Sequence, residues 1–499
     1  METPPTTIFF AFIAGLWALR YIFSSLRAKY GKSLPPGPWG LPLLGHLHML
    51  GELPHQNLQK LAKKYGPIMS IRLGLIPTIV VTSPEYAELF LKTHDLVFAS
   101  RPKIQAAEVM GYGQKNLVFA QYGSYWRNIR KLCTIELLSG SKIESFKPMR
   151  REEVAIFVQS LKKISSSEID LSVKIESVIE DMTYRMIFGT KDDRFNFKSS
   201  LLEGVSIAGV FNIADFVPYL GGFDLQGLGR RMKAVTEVLD DFLETIIDEH
   251  IRDAKDLKGR HRDFIDVMLS LMETNNTREM QIGRDNIKAI VLDMLSAAID
   301  TSSITTEWVV AELLKNPHVM KLVQDELETV VGLDRMVDEA DLVKLDYLKL
   351  VIKESMRLHP VAPLLIPHES IEDVTINGYF IPKKSRVFVN TWAIGRDTKL
   401  WSDNAEEFYP ERFIGSNIDV QGNDFQFLPF GSGRRKCLGL QLGMTTVQLV
   451  VAQLLHCFKL ELPTGMSPEN LDMTEKFGLT LRRAGHIVAI PTYRLNINI

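Results

Sequence analysis

The sequence predicts a mainly α-helical protein with small β-sheets, built as one large domain behind an N-terminal helix that anchors it in a membrane. Three observations favour this fold class. Helix-period apolar patterns dominate the middle of the chain, strand-like runs are short and few, and the N-terminus carries a long apolar run. No internal repeat, low-complexity tract or linker divides residues 46–499, so we expect a single body there.

The helical patterns extend from about Glu85 to about Arg357, and Pro360 ends the last of them because proline cannot continue a helix. Strands are expected where short β-branched runs occur. The clearest helices are 232–251 and 284–314, and the clearest strands are 77–81 and 386–389.

The N-terminal segment is continuously apolar from Ile8 to Leu19 and is followed by Arg20 and further basic residues. It is slightly short of the roughly 20 residues that span a bilayer, but the Arg20 side chain can reach the headgroups. No basic residue precedes the run and no small-residue cleavage site follows it, which argues against a signal peptide. We therefore predict an anchor over residues 1–26, with the body on the cytoplasmic side by the positive-inside rule.

Residues 27–45 are basic and then proline-rich, with the sequence LPPGPWGLP at 34–42. Proline fixes φ and disfavours helix, so this segment predicts a stiff hinge between the anchor and the catalytic domain, residues 46–499. An ordinary proline-rich linker is an equally simple interpretation.

Charge and cysteine content exclude several classes of protein. The formal net charge is only −2, whereas nucleic-acid-binding proteins usually have strongly basic surfaces. The three cysteines are far apart and form no CxxC pair, which argues against disulfides and structural zinc and fits a reducing compartment. A lone cysteine is by default a small buried hydrophobe, and we keep that interpretation for Cys133 and Cys457.

Cys437 lies in a glycine-rich, basic loop, FGSGRRKCLG at 430–439, and a helical run from Leu440 to His456 follows it. Nearby cations and the N–H groups of a helix N-terminus are expected to lower the pKa of a thiol. Glycines let the backbone turn tightly under a flat ligand. The alternatives are a surface turn with an incidental cysteine or a phosphate-binding loop, but the Walker and dinucleotide patterns are absent. The loop therefore favours haem ligation.

The loop fills the pattern F-x-x-G-x-R-x-C-x-G with Phe430, Gly433, Arg435, Cys437 and Gly439, and it closely resembles the haem signature of the cytochromes P450. The resemblance implies the cytochrome P450 fold, haem b as the cofactor and Cys437 as the proximal iron ligand. It also implies that Arg435 meets a haem propionate and that Phe430 packs beside the sulfur. In this family the thiolate donates electron density that favours O–O cleavage.

An E-x-x-R pair, Glu354 and Arg357, lies on one face of a predicted helix. Alone it is a weak signal, because such pairs are common at protein surfaces. Arg412 follows within the sequence PERF, at the distance of the family's second arginine. The resemblance therefore implies a buried ionic lock with a structural role.

Trp126 and Arg130 lie four residues apart on one helical face, where their N–H groups suit an anion. By itself this pattern favours an amphipathic surface helix, but its resemblance to the family's W-x-x-x-R implies that both side chains bind a haem propionate. His368 occupies a place where relatives often have a propionate-binding arginine. A histidine there is expected to carry a pH-dependent charge.

The helical run from Ile287 to Leu313 contains Asp300 and Thr301, and an acid in an apolar helix is costly unless it is partnered or borders water. Thr301 is predicted to bond back to the carbonyl of Ala297 and so to loosen the helix. A helix bend with a capped polar pair is the alternative. Resemblance to the pattern A-G-x-D-T-T/S implies that Asp300 and Thr301 are catalytic and deliver protons for dioxygen activation. Ala298 replaces the usual glycine and adds one methyl group to the groove.

The resemblance covers essentially the whole chain and implies a haem-thiolate monooxygenase that uses O2 to oxidise a small lipophilic terpenoid or phenolic. The proline hinge and PERF sequence are most similar to plant microsomal members, so we expect the endoplasmic reticulum membrane. No flavin or nicotinamide fingerprint is present, which predicts a separate NADPH-cytochrome P450 reductase. Its docking face is expected to be basic. The candidate residues are Arg127, Lys131, Arg434 and Lys436.

Two other functions stay open at this point. A haem-thiolate isomerase or dehydratase would need no reductase. A membrane-bound haem carrier or sensor would need no acid in the predicted helix 287–313, which we call the oxygen helix. Dependence of turnover on NADPH separates the first from a monooxygenase. Substrate contacts are expected from residues 101–122, 205–217, 292–301, 362–366 and 477–479, although single aromatics there also suit a plain core.

Overall fold

The computed structural model describes residues 15, 33–191, 193–253, 263–274 and 282–497, and these fold mainly into helices joined by short loops. Two π-helical turns, Leu89–Thr93 and Cys133–Leu137, extend the α-helices Pro84–Glu88 and Ser124–Leu132. The α-helices of these residues are α1 Pro54–Tyr65, α2 Pro84–Glu88, α3 Gln105–Val109, α4 Ser124–Leu132, α5 Gly140–Ser145, α6 Lys147–Lys163, α7 Leu171–Phe188, α8 Phe197–Gly209, α9 Leu228–Asp253, α10 Phe264–Thr274, α11 Arg284–Lys315, α12 Pro317–Val331, α13 Asp346–Leu358, α14 Thr391–Ile394, α15 Thr398–Trp401 and α16 Leu440–Cys457.

The strands are short and form small sheets at the edges of the helical body. They are β1 Ile68–Leu73, β2 Ile76–Val81, β3 Ile169–Asp170, β4 His368–Glu369, β5 Val374–Ile376, β6 Tyr379–Ile381, β7 Arg386–Val389, β8 Phe458–Glu461, β9 Glu475–Phe477, β10 Leu481–Arg483 and β11 Val488–Tyr493. The largest sheet has the order β1-β2-β7-β4, in which β2 and β7 are parallel and the other neighbours antiparallel. Strand β11 lies between β3 and β8, and β5–β6 and β9–β10 are separate hairpins.

The core is organised around α11, a 32-residue helix that packs against α7, α13 and α16. Its side chains are buried on every face, including Trp308, which is the burial expected of a helix at the centre of a large domain. Each fully buried leucine, valine or isoleucine contributes about 1.5–3 kcal/mol. The free energy gained by this apolar burial therefore offsets the cost of burying a few polar residues on this helix.

Local sequence explains where several helices begin and end. The Asp170 carboxylate accepts a hydrogen bond from the N–H of Val173 at 3.1 Å and so caps α7, whose end is set by Gly189 at a φ of 71°. Pro54 and Pro317 open α1 and α12, since the first turn of a helix has no use for the N–H that proline lacks.

The predicted fold class is confirmed. The predicted helices 232–251 and 284–314 lie within α9 and α11, and the predicted strands 77–81 and 386–389 correspond to β2 and β7. Strand β1 was not predicted, because Ser70 and Arg72 interrupt its apolar residues. Its pairing with β2, from Ile68 opposite Val81 to Leu73 opposite Ile76, supplies what local sequence does not.

The described part of the predicted hinge, from Ser33 onward, packs against the first sheet. The N–H of Ser70 donates to the carbonyl of Pro36 at 2.8 Å, and the N–H of His46 donates to the carbonyl of Arg72 at 2.6 Å. Proline-rich backbone has free carbonyls, and strand β1 uses them. The predicted anchor, residues 1–26, lies outside the described residues apart from Gly15.

Within the described residues, one helix, α16, is long and apolar enough to cross a membrane. It packs against α11, α12 and α6, and 67% of it is buried inside the protein. Those contacts identify α16 as a core helix.

Candidate active site

The cysteine loop is held in one conformation by backbone contacts. The N–H of Cys437 donates to the carbonyl of Phe430 at 3.0 Å. Gly433 has a φ of +67°, and a Cβ there would lie 2.1 Å from the carbonyl oxygen of Leu91. Only glycine fits such a position. The loop thus delivers Cys437 to the start of α16, and the N–H of Gly439 points to the sulfur.

Cys437 differs from the other two cysteines. Cys133 and Cys457 are buried, as predicted, whereas Cys437 is exposed. Enough protein nevertheless surrounds Cys437 that burial raises the pKa of its thiol, and Gly439, Arg130 and Lys436 oppose that rise without overcoming it. The predicted lowering of this pKa is therefore wrong, since removal from water outweighs the nearby cations. A side chain that is exposed yet surrounded lines an internal space.

Trp126 lies between two guanidinium groups beside this loop. The Arg435 guanidinium carbon is 4.0 Å from the centre of its ring, and that of Arg130 is 5.4 Å away. The indole N–H donates to the carbonyl of Leu117 at 3.0 Å. The structure thus brings the three predicted residues together, and the indole N–H, predicted to meet an anion, is bonded to backbone.

Arg101 joins them and was predicted only as the first residue of a substrate-contact segment, not as part of a group of cations. It is 5% exposed, and its Nη1 donates to the carbonyls of Ile366 at 2.6 Å and Pro367 at 2.9 Å. Burial holds the pKa of Arg101 well below its usual range, and the charges of Arg435 and Arg130 lower it further. The sequence signal for it was weak, because a single arginine before a proline is common in loops.

His368 lies at the same place but does not behave as predicted. Its Nδ1 donates to the carbonyl of Phe98 at 2.8 Å. Burial, Arg101 and Arg435 together hold its pKa well below the ordinary value. The ring is therefore neutral near pH 7, and the expectation of a pH-dependent charge is wrong for this site.

We call Arg101, Arg130 and Arg435 the cation cluster. Arg130 donates to the carbonyl of Lys436 at 2.7 Å, and Arg435 donates to the carbonyls of Ala99 at 2.6 Å and Ala120 at 2.5 Å. Burial and Arg130 lower the pKa of Arg435 to about 9. Within the described residues, no carboxylate forms an ion pair with any of the three. Buried cations without a counter-charge are costly, and the two propionates of haem fit that deficit.

The oxygen helix has the side-chain contact that the sequence predicts at Thr301. Thr301 Oγ1 donates to the carbonyl of Ala297 at 2.5 Å, which confirms the predicted back-bond. Ala297 is exposed although α11 is the core helix, and Ala298 and Thr301 are partly exposed. This stretch therefore lines an internal groove.

Asp300 has two partners that the sequence did not reveal. Oδ2 accepts a hydrogen bond from Thr480 Oγ1 at 2.5 Å, and Oδ1 pairs with Arg482. Both partners come from the β9–β10 hairpin, 180 residues away in the chain. The costly acid thus has the partner that its position requires.

The E-x-x-R pair forms the predicted ionic lock. Arg357 Nε and Nη2 donate to the two carboxylate oxygens of Glu354 at 2.7 and 2.8 Å, and Arg412 Nε donates to the same carboxylate at 2.8 Å. The side chains of Glu354 and Arg357 have no exposed area. Bidentate geometry of this kind is the strong form of a charge-assisted bond.

Aromatic residues of two predicted substrate segments, 205–217 and 477–479, stack on other rings. Phe211 and Phe216 stack at 5.0 Å between ring centres, and Phe477 stacks on His55 at 5.7 Å. Phe211 is partly exposed, so it is not a simple core residue.

Comparisons with known proteins agree with this geometry. The family model for cytochrome P450 matches residues 35–488. A Panax ginseng protein named cytochrome P450 CYP736A12 is 58% identical, over 96% of this chain and 97% of its own. Premnaspirodiene oxygenase from Hyoscyamus muticus is 42% identical, over 97% and 98%.

A solved structure of a zebrafish cytochrome P450 with abiraterone superposes with a TM-score of 0.75 at 28% identity and covers 88% of this chain and 100% of its own. The match therefore extends from the sequence to the arrangement of the helices. This chain belongs to the cytochrome P450 family of haem-dependent monooxygenases.

Proposed function

We propose that this cytochrome P450 is a microsomal enzyme that oxidises a small lipophilic terpenoid or phenolic with O2 and electrons from NADPH-cytochrome P450 reductase. Residues 1–26 are the anchor in the endoplasmic reticulum membrane, 27–45 the hinge, and 46–499 the haem-binding domain on the cytoplasmic side. One observation carries the proposal: an exposed cysteine lies beside arginines that, among the described residues, have no carboxylate partner.

Haem b supplies the iron at which dioxygen is activated. Cys437 would ligate the haem iron through its sulfur, Phe430 would pack beside that sulfur, and Gly433 and Gly439 would let the backbone approach the haem. The propionate edge would be held by Arg130 and Arg435, with Trp126 stacked against their guanidinium groups and the neutral His368 nearby. This assignment uses the positive charge of the cation cluster, which two carboxylates would largely offset.

Protons are handled by Thr301 and Asp300. The Thr301 hydroxyl holds its proton on the carbonyl of Ala297 and releases it into the groove when a stronger acceptor arrives. Asp300 returns a proton from the solvent side, because its partner Arg482 is 44% exposed. The acid and the hydroxyl are adjacent in the helix but do not face each other, so a water molecule would carry the proton between them.

Membrane attachment is supported by two exposed apolar surfaces near the hinge. Trp39 is 80% exposed on the proline-rich segment, and Tyr219 is 84% and Phe223 72% exposed on the segment before α9. The turn at Gly74 connects them, since its N–H donates to Leu44 and the next N–H donates to Phe216. Exposed aromatic surfaces of this kind suit the membrane interface.

Reductase docking is proposed for the basic residues around α4 and the cysteine loop. Arg127 and Lys131 are exposed, whereas Arg434 pairs with Asp95 at 3.2 Å. Reversing the charge of Arg127 and Lys131 together is expected to slow the reductase-supported reaction and to leave haem binding unchanged, since rim charges act mainly on association.

The substrate class is supported by the groove at Ala297 and by the relatives. The groove is lined by small and apolar groups, and one relative is named for oxygenation of premnaspirodiene. A panel of terpenoid hydrocarbons and phenolics tested by the spin-state shift of the haem would identify the class.

The first test uses full-length protein in microsomes with a plant reductase. The carbon monoxide difference spectrum of the reduced wild type should have the red-shifted Soret band of a thiolate-ligated haem, and Cys437→Ala should lose it. Cys457→Ala, in the core, is the matched control and should keep it. A well-folded wild type without the band contradicts the monooxygenase proposal, and product formation without NADPH would favour the isomerase alternative.

A further inference from the structure

A carboxylate of the oxygen helix, Asp293, takes no part in the function proposed above. It lies eight residues before Thr301 on α11. Its Oδ2 accepts hydrogen bonds from the N–H groups of Leu117 at 2.6 Å and Val118 at 2.8 Å, and its Oδ1 accepts one from Asn116 Nδ2 at 3.1 Å. Bonds from two successive backbone N–H groups to one carboxylate oxygen are charge-assisted and strong. Asp293 therefore clamps the loop between α3 and α4 to the oxygen helix.

The same two residues reach the cation cluster with their carbonyls, and the carbonyl of Leu117 shares one peptide unit with the N–H of Val118. The carbonyl of Leu117 accepts hydrogen bonds from Trp126 Nε1 at 3.0 Å and Arg435 Nη1 at 3.4 Å. The carbonyl of Val118 accepts one from Arg101 Nε at 3.3 Å. Each residue thus presents its N–H to Asp293 and its carbonyl to the cluster.

We propose that Asp293 is a positioning residue that holds the cation cluster in place for the haem edge, acting through Leu117 and Val118. The inference rests on the proposed function, because the anions that the cluster meets are the haem propionates. Hydrogen bonds in such a chain polarise one another, so a negative charge on the N–H side also strengthens the carbonyl side as an acceptor.

Removal of the carboxylate has two direct consequences. The amides of Leu117 and Val118 lose their acceptor, and the carbonyls that orient Trp126, Arg435 and Arg101 become free to move. Burial also raises the pKa of Asp293 to about 6, which agrees with a side chain enclosed by protein.

The chain offers a matched control on the same helix and the same loop. Asp285 accepts a hydrogen bond from Lys115 Nζ at 2.7 Å, and this pair is about half exposed. It also joins α11 to the loop, but through a flexible side chain at the surface, where an ion pair contributes little. Asp285→Asn therefore removes the ion pair between the helix and the loop and leaves the hydrogen bonds of the Leu117 and Val118 amides in place.

A conservative variant is also available. Asp293→Asn keeps one oxygen for the two backbone amides. Asn116 Oδ1 has no partner among the described residues, so the Asn116 amide can turn and accept from the new side-chain N–H. Asp293→Asn should therefore retain much of the anchoring that Asp293→Ala loses.

The experiment compares haem-replete wild type with Asp293→Ala, Asp293→Asn and Asp285→Asn by two readouts. Hydrogen–deuterium exchange measures protection of the Leu117 and Val118 amides, and transfer of haem to excess apomyoglobin measures how firmly the edge is held. In Asp293→Ala both rates should rise about thirtyfold, the effect of losing two net hydrogen bonds. Asp293→Asn should stay within about threefold of wild type, and Asp285→Asn should not change.

A parallel rise of the amide exchange rate and the haem transfer rate in Asp293→Ala supports the proposal. Faster amide exchange with unchanged haem transfer overturns it, because the loop would then be anchored without consequence for the cluster. If Asp293→Ala does not accumulate as folded protein, Asp293→Asn decides: a rise in haem transfer without a rise in amide exchange also overturns it. A wild type that lacks the thiolate band fails the proposed function instead, and amide protection at Leu117 is measured independently of that band.

Discussion

Two groups of buried or partly buried arginines in this protein are built in opposite ways. In the ionic lock, Arg357 and Arg412 share the carboxylate of Glu354 at 2.7 to 2.8 Å. In the cation cluster, Arg101, Arg130 and Arg435 donate to backbone carbonyls, and no carboxylate of the described residues pairs with them. Each arginine of the lock has a carboxylate partner within the chain, whereas no arginine of the cluster has one among the described residues.

This difference separates a structural network from a binding site. A buried charge is tolerated when a counter-charge and hydrogen bonds compensate its loss of hydration. Glu354 supplies that compensation in the lock. In the cluster, burial lowers the pKa of Arg435 to about 9 and that of Arg101 well below its usual range, so the chain alone does not favour their charged forms. An anion from outside the chain would complete the cluster, and a dianionic haem has the right charge.

The largest effect is expected from breaking the lock. Glu354→Ala leaves two arginines without their carboxylate and should lower the free energy of unfolding by about 3–5 kcal/mol. The yield of folded, haem-containing protein should fall sharply, as measured by the carbon monoxide spectrum per total chain. Glu88→Ala breaks an exposed pair with Lys92 and is the control, with a loss of about 0.5 kcal/mol or less. Equal yields of the two variants would contradict a structural role for the lock.

A smaller and different effect is expected from removing a member of the cluster. Arg435→Gln relieves repulsion from Arg130, so the yield of folded chain should not fall, but haem should transfer to apomyoglobin about tenfold faster. Arg434→Gln, at the surface next to it, is the control and should match wild type. A thermal midpoint that drops as far as that of the lock variant would show that the cluster is a second structural network.

A third pair sharpens the comparison because one member titrates. His250 Nε2 lies 2.9 Å from Asp263 Oδ2 in the interior, and although burial alone would lower the pKa of His250, the hydrogen bond and charge of Asp263 raise it. A raised histidine pKa stabilises the folded state below the ordinary value, and this stability is lost as the pH rises through the folded-state value. Wild type should therefore lose roughly 1–2 kcal/mol of unfolding free energy from the mildly acidic to the alkaline range. His250→Gln should remove this part of the pH dependence in urea titrations.

The smallest effect on stability is expected at the pair of buried Asp300 and half-exposed Arg482, because Thr480 still donates to Asp300 when Arg482 is replaced. Arg482→Gln should change the free energy of unfolding by less than about 1 kcal/mol. It frees one oxygen of Asp300 next to Thr301, so the fraction of NADPH that yields product should fall. Arg482→Lys keeps a cation there and should restore much of that fraction. Unchanged coupling in Arg482→Gln would separate Arg482 from proton delivery.

Much of the site was predictable because its key residues are close together in the chain. The cysteine loop spans ten positions, 430–439, so the residue types that point to its chemistry can be recognised from one short segment of the sequence. The back-bond of Thr301 to Ala297 was predictable for the same reason, since it joins residues one helical turn apart.

The unpredicted contacts extend over long distances in the chain. Arg101 reaches Ile366, Thr480 reaches Asp300, and Asp293 reaches Leu117, each over more than 170 residues. No periodicity or spacing signals such a contact. The lowered pKa of Cys437 and the pH-dependent charge of His368 were predicted incorrectly, because the pKa of each group depends on how far the folded protein excludes water from it.

The sequence by itself determined the helical class, the cysteine loop and the back-bonded threonine, because hydrophobic period and short-range geometry specify them. The lock was implied by the resemblance to the family. Only the tertiary structure decided which charges are compensated. In the folded chain Glu354 pairs with two arginines, whereas the arginines of the cation cluster donate to backbone carbonyls. Asp293 is connected to that cluster through residues 117 and 118. Compensation of a charge depends on burial and on partners from distant segments, and both exist only after the chain has folded.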